Sequence, residues 1–273
     1  MKEYNFYIVP TPIGNLGDIT NRAVEVLKSV DIIACEDSRV TQKLLNHFGI
    51  KTKCLSYHKF NEKERVGKIL EILKNPPAGK TTMALVSDAG TPLFCDPGKI
   101  LIEELRKHNI KITALPGANA VATFLSQIPR ENEDFYFAGF LPKTQTAIEN
   151  LLEKYKFTDV VFYDSPNRLL NTMKAVRPHA KVAIGRELTK VFEEIIIDTP
   201  QNIINHFENN ILKGEIVGLV FREESASLDE AIIKEKIAAL KAKNFKAREI
   251  SVILSEIYNI SKNYVYKLTA PSP

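Results

Sequence analysis

Several common signatures of a binding site are absent from this sequence. No two of its twelve glycines are spaced as G-x-G, which excludes the usual dinucleotide-binding fingerprint. The three cysteines, Cys35, Cys54 and Cys95, lie far apart and form no CxxC pair, so neither a disulfide framework nor a zinc site is expected. The five histidines have neither HxxxH nor HExxH spacing. We therefore predict that the protein binds no metal ion.

Long apolar segments are absent as well. No window reaches roughly eighteen apolar residues, and the N-terminus MKEYNFYIVP lacks the apolar core of a signal peptide. Widely spaced cysteines suit a reducing compartment, so we expect a soluble, cytoplasmic protein with no membrane partner. The net charge of +4 permits an anionic partner without requiring one.

One phosphate-binding motif is nearly present. The segment KNPPAGKTT at 74–82 contains Gly79-Lys80-Thr81, which resembles the end of a P-loop. The first glycine of that motif would fall at Lys74, and the segment precedes a predicted strand, whereas a P-loop follows one. We therefore reject a P-loop. No G-x-S-x-G nucleophile elbow is present either.

Apolar runs of strand length alternate with amphipathic helical patterns in the first half of the chain. The patterns predict strands at 6–10, 32–35, 83–88 and 111–117, and helices at 22–30, 38–49, 100–109 and 118–128. This alternation predicts a parallel sheet with helices on both faces.

The pattern changes twice further along the chain. After about residue 125 the predicted strands come with fewer helices, which indicates a second α/β domain with a mixed sheet. From Ser225 onward only helical patterns remain, in what resembles a three-helix unit. We therefore predict domains at 1–118, 119–224 and 225–273, the last a small, all-helical extension.

Three loops rich in Gly and Pro follow predicted parallel strands: PTPIGN at 10–15, SDAGTPLFCDPG at 87–98 and PGANA at 116–120. In open α/β sheets ligands bind beyond the carboxyl ends of the strands, and small residues let the main chain approach them. One such loop alone would be read as an ordinary turn, because Gly and Pro are common in turns. Three on successive strand ends favour a binding site. A fourth segment, ACEDSR at 34–39, is compatible with a capped helix start or with a polar rim facing a substrate.

The motifs carry a specific family resemblance. Eight segments occur in the order VPTPIGNLGDITNRAVEVL, CEDSR, LVSDAGTPLFCDPG, LPGANA, FAGFLP, SPNRLL, GRELTK and KGE. In order and spacing they resemble the tetrapyrrole-methylase superfamily and, within it, the branch of small-subunit ribosomal RNA methyltransferases I. The resemblance covers nearly the whole chain. It implies 2′-O-methylation of a cytidine ribose in the decoding centre of 16S rRNA, with S-adenosyl-L-methionine as the cofactor.

The resemblance places the active site and the cofactor in the cleft between the two α/β domains. It implies that the cofactor is bound by Pro12, Gly14, Asp88, Ala89, Gly90, Thr91, Pro92, Ala118, Asn119, Ala120, Phe140, Leu141, Tyr163, Arg186, Glu187, Gly214 and Glu215. A turn like PTPIGN would then let the main chain approach a compact zwitterionic ligand rather than a phosphate.

Methyl transfer to a ribose hydroxyl requires alignment and a group that accepts a proton, because the hydroxyl is a weak nucleophile. The predicted catalytic residues are Glu36, Asp37 and Arg39. Asp88 is a further acidic candidate, and Arg168 a further electrostatic stabiliser. Helix capping combined with a phosphate contact explains the Glu36–Arg39 segment equally well.

The tail combines positive charge with aromatic residues. We predict that it binds RNA through Lys241, Lys243, Lys246, Arg248, Lys262 and Lys267, with Tyr264 and Tyr266 beside the last two. Such a unit can follow a phosphate backbone and stack on unpaired bases, although a solvated charged helix has the same composition. The family resemblance implies 16S rRNA within the 30S subunit as the partner, and a homodimer. The alternative functions are methylation of a tetrapyrrole or another small molecule, and non-catalytic RNA binding.

Overall fold

The structure is a computed structural model that describes residues 4–75, 81–209, 213–223, 230–258 and 260–269. The chain divides into two compact units: Met1–Lys154 with Asp159–Phe221, and Tyr155–Thr158 with Arg222–Pro273. Both five-stranded sheets lie in the first unit. The predicted domain boundaries after residues 118 and 224 stay predictions. The rejected P-loop segment falls largely on residues 76–80, which lie outside the described residues.

The first sheet is parallel throughout, as predicted. Its strands are β1 (Phe6–Ile8), β2 (Ile32–Cys35), β3 (Lys53–Ser56), β4 (Met83–Val86) and β5 (Ile112–Ala114), in the order β3-β2-β4-β1-β5. Because all five run in one direction, their carboxyl ends meet at one edge. That edge brings together the loops that follow β1, β2, β4 and β5.

Helices cover both faces of this sheet. They are α1 (Asn21–Ser29), α2 (Ser38–His47), α3 (Glu62–Lys74) and α4 (Lys99–Lys107), with a short 3-10 helix at Leu16–Asp18. Leu27 of α1 and Leu45 of α2 pack in one buried cluster, and Ile69 of α3 and Leu105 of α4 pack in another. The predicted parallel sheet with two covered faces is confirmed, and β3 and α3 are additions that the sequence pattern did not reveal.

The second sheet is mixed, which confirms the prediction. Its strands are β6 (Phe135–Phe140), β7 (Asp159–Asp164), β8 (Val182–Arg186), β9 (Glu194–Asp198) and β10 (Ile216–Val220), in the order β6-β7-β10-β8-β9. Only β6 and β7 pair in parallel; the other pairs are antiparallel. The helices of this half are α5 (Ala120–Leu125), α6 (Gln145–Lys154), α7 (Pro166–Lys174) and α8 (Pro200–Glu208).

The second unit contains three helices in its described residues: α9 (Glu230–Ala242), α10 (Ala247–Tyr258) and α11 (Lys262–Thr269). Its core is small and consists of Ile233, Ile237, Ile250, Leu254 and Val265. The predicted all-helical extension is therefore confirmed. Within the described part of the chain, no helix has the length and apolarity needed to cross a membrane.

Candidate active site

A cavity of about 420 Å³ lies at the carboxyl edge of the first sheet. It is lined by the loops after β1 and β4, the start of α5, and residues at the ends of β6, β7 and β10. Small-molecule sites in proteins measure roughly 300–1,000 Å³, so the cavity can hold one compact ligand. Because residues from both sheets line it, the cavity corresponds to the cleft predicted between the two α/β halves. We refer to it as the donor cavity.

The loop after β1 is held by two other segments. Thr11 N donates to Gly90 O at 2.9 Å, and Gly90 N donates to Thr11 O at 3.0 Å. The Thr11 hydroxyl donates to Ser87 O at 3.1 Å. Gly14 is needed for close approach, because a Cβ there would lie 2.4 Å from Cγ of Lys190. The PTPIGN turn is thus fixed between the loop after β4 and the segment after β8.

The loop after β4 has a backbone conformation that few side chains adopt. Leu93 and Cys95 have φ values of 69° and 80°, and Gly90 and Gly98 have φ values of 79° and 136°. A non-glycine residue in this region costs on the order of 1–3 kcal/mol and persists only where its surroundings fix it. Such strain is concentrated at ligand sites, and this loop supplies more of the donor-cavity wall than any other segment.

The PGANA loop follows β5 and is fixed by contacts of its own. The Thr91 hydroxyl donates to Ala118 O at 3.0 Å. A Cβ at Gly117 would lie 2.6 Å from Cβ of Pro10, so glycine allows the loops after β1 and β5 to touch. Asn119 caps α5 with its side chain. All three predicted loops therefore meet at one edge.

Aromatic rings connect the loop after β4 to the second sheet. Phe94 and Phe137 stack with ring centroids 4.8 Å apart, and Phe137 meets Tyr163 at 5.2 Å. Phe140, which is 60% exposed, lies 5.7 Å from Tyr163. Burial raises the pKa of Tyr163, so its phenol stays protonated at neutral pH and can donate a hydrogen bond. These rings give the cavity an aromatic wall suited to a flat heterocycle.

An ion network holds the segment of the cavity wall that contains Gly214 and Glu215. Lys190 Nζ donates to Glu187 Oε1 at 2.7 Å and to Glu215 Oε2 at 2.8 Å. Glu187 Oε1 also accepts from Glu215 N at 2.9 Å. Although burial opposes it, the hydrogen bond from Lys190 holds the pKa of Glu187 below its usual range. Gly214 has φ of 98°, and a Cβ there would lie 2.3 Å from Cδ of Glu187, so only glycine leaves room for this carboxylate.

Three carboxylates interact where the donor cavity meets β2. Burial raises the pKa of Asp96 to about 6; the charges of Glu36 and Asp88 add to the rise, and a hydrogen bond with Ser87 opposes it. Burial, with the Asp88 charge, also raises the pKa of Glu36. A carboxylate whose pKa lies closer to neutrality is a stronger base and a better proton acceptor. Asp96 lines the cavity but is not among the residues predicted from the sequence, although it lies within the SDAGTPLFCDPG motif.

Asp37 and Arg39 are paired with each other beside this group. Asp37 caps α2 by accepting from Arg39 N, and its carboxylate also accepts from the Arg39 guanidinium at 2.7 Å. These hydrogen bonds lower the pKa of Asp37 to about 2. Asp37 N donates to Asp88 Oδ1 at 2.9 Å, so the backbone of this segment orients a carboxylate of the cavity. As a base, Asp37 is therefore weaker than Asp96.

The predicted cofactor residues fall into three groups. Those that line the donor cavity are Asp88, Ala89, Gly90, Thr91, Asn119, Ala120, Phe140, Tyr163, Gly214 and Glu215. Pro12 and Gly14 line a neighbouring cavity, which Asp88 and Ala89 share. Pro92, Ala118, Leu141, Arg186 and Glu187 line neither cavity. Among them, Ala118 and Glu187 accept hydrogen bonds from the lining residues Thr91 and Glu215.

Two predicted arginines make structural contacts. Arg168 Nη2 donates to Leu141 O at 2.9 Å, and Arg168 Nε lies 3.7 Å from Asp164 Oδ1. Arg186 Nε donates to Glu194 Oε2 at 3.0 Å. These contacts hold segments of the second half of the α/β unit together, and the predicted ligand roles of both arginines stay predictions. In the described part of the chain, no group of three or more His, Cys, Asp or Glu side chains is arranged to hold a metal ion.

The cations predicted to bind RNA all lie on the helical unit with exposed side chains: Lys241, Lys243, Lys246, Arg248, Lys262 and Lys267. Lys241 differs from the others, because its Nζ donates to Thr269 O at 2.8 Å and so ties α9 to the end of α11. Tyr264 and Tyr266 are 40% and 50% exposed. The arrangement presents charge and aromatic rings on a surface rather than in a cavity.

Sequence comparison now identifies the family. Residues 5–203 match the family model described as Tetrapyrrole (Corrin/Porphyrin) Methylases. The chain belongs to this family. The family resemblance seen in the motifs is thereby confirmed, and β10 and the helical unit lie beyond the matched residues.

Relatives of the chain share nearly its whole length. The Ribosomal RNA small subunit methyltransferase I of Vibrio cholerae serotype O1 is 40% identical over 273 residues, which covers 96% of this chain and 92% of the relative. The protein of the same name from Synechocystis sp. is 36% identical over 272 residues, covering 96% of each chain. The similarity to these relatives thus extends into the helical unit.

Solved structures share the tetrapyrrole methylase fold. A diphthine synthase matches with a TM-score of 0.64 at 13% identity, covering 80% of this chain and 89% of that chain. A uroporphyrin-III C-methyltransferase from Thermus thermophilus, complexed with S-adenyl homocysteine, matches with a TM-score of 0.53 at 15% identity, covering 79% and 96%. At these identities the likeness shows the fold alone.

The donor cavity fits S-adenosyl-L-methionine, the methyl donor of tetrapyrrole methylases. Asp88, Asp96 and Glu215 line the cavity, and none of its described lining residues is Lys or Arg. Lys190 pairs with Glu215 from outside this lining, so the carboxylates of Asp88 and Asp96 are the ones that suit a ligand with a positive sulfonium. The rings of Phe140 and Tyr163 suit an adenine.

Proposed function

We propose that the chain is an S-adenosyl-L-methionine-dependent methyltransferase that methylates the ribose 2′-hydroxyl of a cytidine in the decoding centre of 16S rRNA. The observation that carries this proposal is the identity of 36–40% to relatives named Ribosomal RNA small subunit methyltransferase I, spread over 96% of the chain. The exposed cations of the helical unit agree with a nucleic-acid substrate.

In this proposal the donor cavity holds the methyl donor through residues of both sheets. Asp88, Ala89, Gly90 and Thr91 offer a carboxylate and main-chain groups, and Tyr163 and Phe140 offer ring faces. Gly214 and Glu215 form the end that the Lys190 network stiffens. When bound, S-adenosyl-L-methionine supplies an electrophilic methyl group on a positively charged sulfur. The protein's main contribution is to hold the acceptor oxygen in line with that methyl group.

The acceptor hydroxyl must also lose its proton, and we propose Asp96 as the group that receives it. Its pKa of about 6 leaves it ionised at neutral pH while making it a stronger base than Asp37. Glu36 and Asp88 act by raising the proton affinity of Asp96. Arg39, whose side chain is 88% exposed, is placed to contact a substrate phosphate.

The proposal extends to the assembly in which the enzyme works. We propose that the partner is 16S rRNA within the 30S subunit, that the protein acts in the cytoplasm, and that it is a homodimer. Val191 and Phe192, in the turn between β8 and β9, are 94% and 73% exposed, and contiguous exposed apolar residues mark interaction sites. We expect V191S/F192S to shift the sedimenting species from dimer to monomer. A wild-type monomer at micromolar concentration would contradict the dimer.

The proposed activity is tested by mapping ribose 2′-O-methylation in 16S rRNA from cells with and without the gene. We expect one cytidine of the decoding centre to lose its modification and to regain it when purified protein and S-adenosyl-L-methionine are added to 30S subunits. Methyl transfer to a porphyrinogen but not to 30S subunits would instead favour a small-molecule enzyme, which the fold also supports. A chain that binds RNA but no methyl donor would favour a non-catalytic role.

A further inference from the structure

A second cavity, of about 300 Å³, adjoins the donor cavity, and most of its lining residues are not among those that the family resemblance assigns to the cofactor. It lies between the loop after β1 and the first two turns of α2. The two cavities share Ile13, Asp88 and Ala89 as lining residues, so these three residues form a common wall. Whatever binds in the second cavity would therefore lie next to the donor.

The two cavities differ in charge. Carboxylates and no described Lys or Arg line the donor cavity, whereas Lys43 lines the second. Lys43 is exposed and follows Arg39 by four residues on α2, so both cations lie on one side of that helix. The second cavity thus combines apolar surface, the Asp88 carboxylate on the shared wall, and positive charge at its outer end, which suits a ligand with a phosphate at that outer end.

The interior of the second cavity offers both apolar surface and a buried hydroxyl. Leu16 and Val40 line it and are each 40% exposed, which is high for large aliphatic side chains. Thr41 lines it as well and is only 4% exposed, yet its hydroxyl has no nitrogen or oxygen partner among the described residues; its polar neighbour is the thiol of Cys35. Because a thiol is a weak hydrogen-bond partner, the Thr41 hydroxyl keeps the capacity for a further hydrogen bond to a ligand.

We propose that this second cavity, which we call the acceptor cavity, receives the target nucleoside turned out of its RNA strand. The proposal rests on the proposed function and assigns a place to its substrate. Leu16 and Val40 would contact the faces of the base, and the Thr41 hydroxyl would bind a polar edge. Lys43 and Arg39 would contact the flanking phosphates, and the ribose would face the wall that the two cavities share.

The size and charge of the acceptor cavity favour this occupant. At about 300 Å³ it lies at the lower end of the range for ligand sites, which suits one nucleoside rather than a stacked stretch of RNA. A tetrapyrrole with its several carboxylates would need several cations around it, and Lys43 is the single Lys or Arg among the described residues that line this cavity. Enzymes that modify nucleotides commonly take the target out of the base stack into such a pocket.

The test fills the acceptor cavity from α2 while leaving the donor cavity intact. In full-length protein, V40W puts a large ring into the acceptor cavity, and Q42W puts the same ring on an exposed position of α2 that lines neither cavity. Transfer of radiolabelled methyl groups to unmodified 30S subunits gives kcat/KM, and calorimetry gives the Kd of S-adenosyl-L-methionine. We expect V40W to lower kcat/KM for 30S subunits at least ~10-fold with donor Kd changed less than ~2-fold, since misplacement of the acceptor by about 1 Å costs that much or more.

Q42W should leave both quantities within about twofold of wild type, because surface substitutions have small effects. If V40W and Q42W have equal kcat/KM for 30S subunits, the proposal is overturned. It is also overturned if the rise in the Kd of S-adenosyl-L-methionine in V40W accounts for the whole fall in kcat/KM. If V40W unfolds, K43A replaces it, with K28A on α1 as the matched surface control. We expect K43A to raise KM for 30S subunits about threefold or more and to reduce its salt dependence, with kcat retained.

A K43A protein with the KM and salt dependence of K28A would also overturn the acceptor cavity. Failure of the proposed function gives a different result: wild-type protein would bind the donor yet transfer no methyl group to 30S subunits. That outcome refutes both proposals, whereas an active wild type with an equally active V40W refutes the acceptor cavity alone.

Discussion

The α/β unit and the helical unit differ in how each presents chemical groups. In the α/β unit, functional groups are held in cavities by backbone conformations and hydrogen bonds that allow few alternatives, as at Gly90 and Cys95. In the helical unit, exposed cations stand on the helices and on the connection between α9 and α10, around a small core that includes Ile250 and Val265. In the α/β unit, what matters is where each functional group lies. In the helical unit, what matters most is the positive charge that the surface carries.

This difference separates the consequences of mutation in the two units. In the α/β unit, small changes should affect the chemical step or donor affinity strongly, because alignment and proton transfer tolerate little displacement. In the helical unit, each cation should contribute a similar, small and salt-dependent part of RNA affinity. Variants in the α/β unit should therefore change kcat or the Kd of the donor. Variants in the helical unit should change the affinity for RNA, and the size of that change should depend on salt.

The largest effect is expected from D96N. If Asp96 accepts the proton of the acceptor hydroxyl, its loss should lower kcat by roughly 10²–10⁴-fold, the usual contribution of a general base. The KM for 30S subunits should change little, whereas the Kd of S-adenosyl-L-methionine should rise by no more than about tenfold, because D96N also removes one of the carboxylates that face the sulfonium. In wild type, kcat should fall as the pH drops through about 6, because Asp96 becomes protonated there. D37N is the matched control and should retain most of kcat; a large loss in D37N alone would assign the base to Asp37.

D96N should also change the free energy of unfolding, in a direction set by the pKa of Asp96 in the wild type. The folded-state pKa of about 6 lies above the ordinary value of 3.8, so folding disfavours the ionised form. The resulting destabilisation is absent below about pH 3.8 and complete above about pH 6. D96N should therefore unfold at higher denaturant than wild type at pH 7.5, by on the order of 1 kcal/mol after allowance for solvent screening, and the difference should disappear towards pH 4. Equal stabilities at pH 7.5 would contradict the burial of this carboxylate.

The next largest effect should come from removing the helical unit. A chain that ends at residue 224 should bind S-adenosyl-L-methionine as wild type does, because the donor cavity belongs entirely to the α/β unit. Affinity for 30S subunits should fall about 10-fold or more at low salt, and the difference should shrink as salt rises. Filter binding across a salt series measures it. Equal methyl transfer to 30S subunits by the shortened chain would show that the helical unit is not the RNA-binding element.

A smaller effect is expected from G214A. The added Cβ would meet Glu187 and would have to adopt φ of 98°, so Glu187 would move and its contacts with Lys190 and Glu215 would be disturbed. We expect the Kd of S-adenosyl-L-methionine to rise about tenfold, which corresponds to about 1.4 kcal/mol. Calorimetry measures it. G67A, at a helical glycine with open space around it, is the control and should leave the Kd unchanged.

The sequence predicted the parts of this molecule that depend on local pattern. The β-α alternation predicted the parallel sheet, and the three Gly/Pro loops predicted the edge at which the cavity lies. The pattern missed β3, because KCLS is short and mostly half-buried and lacks an apolar run. Edge strands of this kind are specified by their neighbour, in this case β2, rather than by their own residues.

The electrostatic properties of the site could not be predicted from spacing. Asp37 and Asp96 are both aspartates in candidate loops, yet the pKa of one falls to about 2 and that of the other rises to about 6. The difference arises from a neighbouring Arg39 on one side, and from burial beside Glu36 and Asp88 on the other. Burial and long-range neighbours are properties of the fold, so the sequence motif alone gave no order of basicity within these loops, and the predicted catalytic role of Glu36, Asp37 and Arg39 stays a prediction.

The smallest effects should come from single cations of the helical unit, and they sharpen its contrast with the α/β unit. K243A should weaken binding to 30S subunits by only a few-fold and reduce the slope of log Kd against log salt by about one, as expected for one phosphate contact. K241A should differ, because its Nζ bonds Thr269 O and joins α9 to α11. We expect K241A to lower the melting temperature of the helical unit as well as RNA affinity, whereas K243A should leave melting unchanged. If the two variants behave alike in both measurements, Lys241 acts only as a surface charge, and the small core holds the three helices together without it.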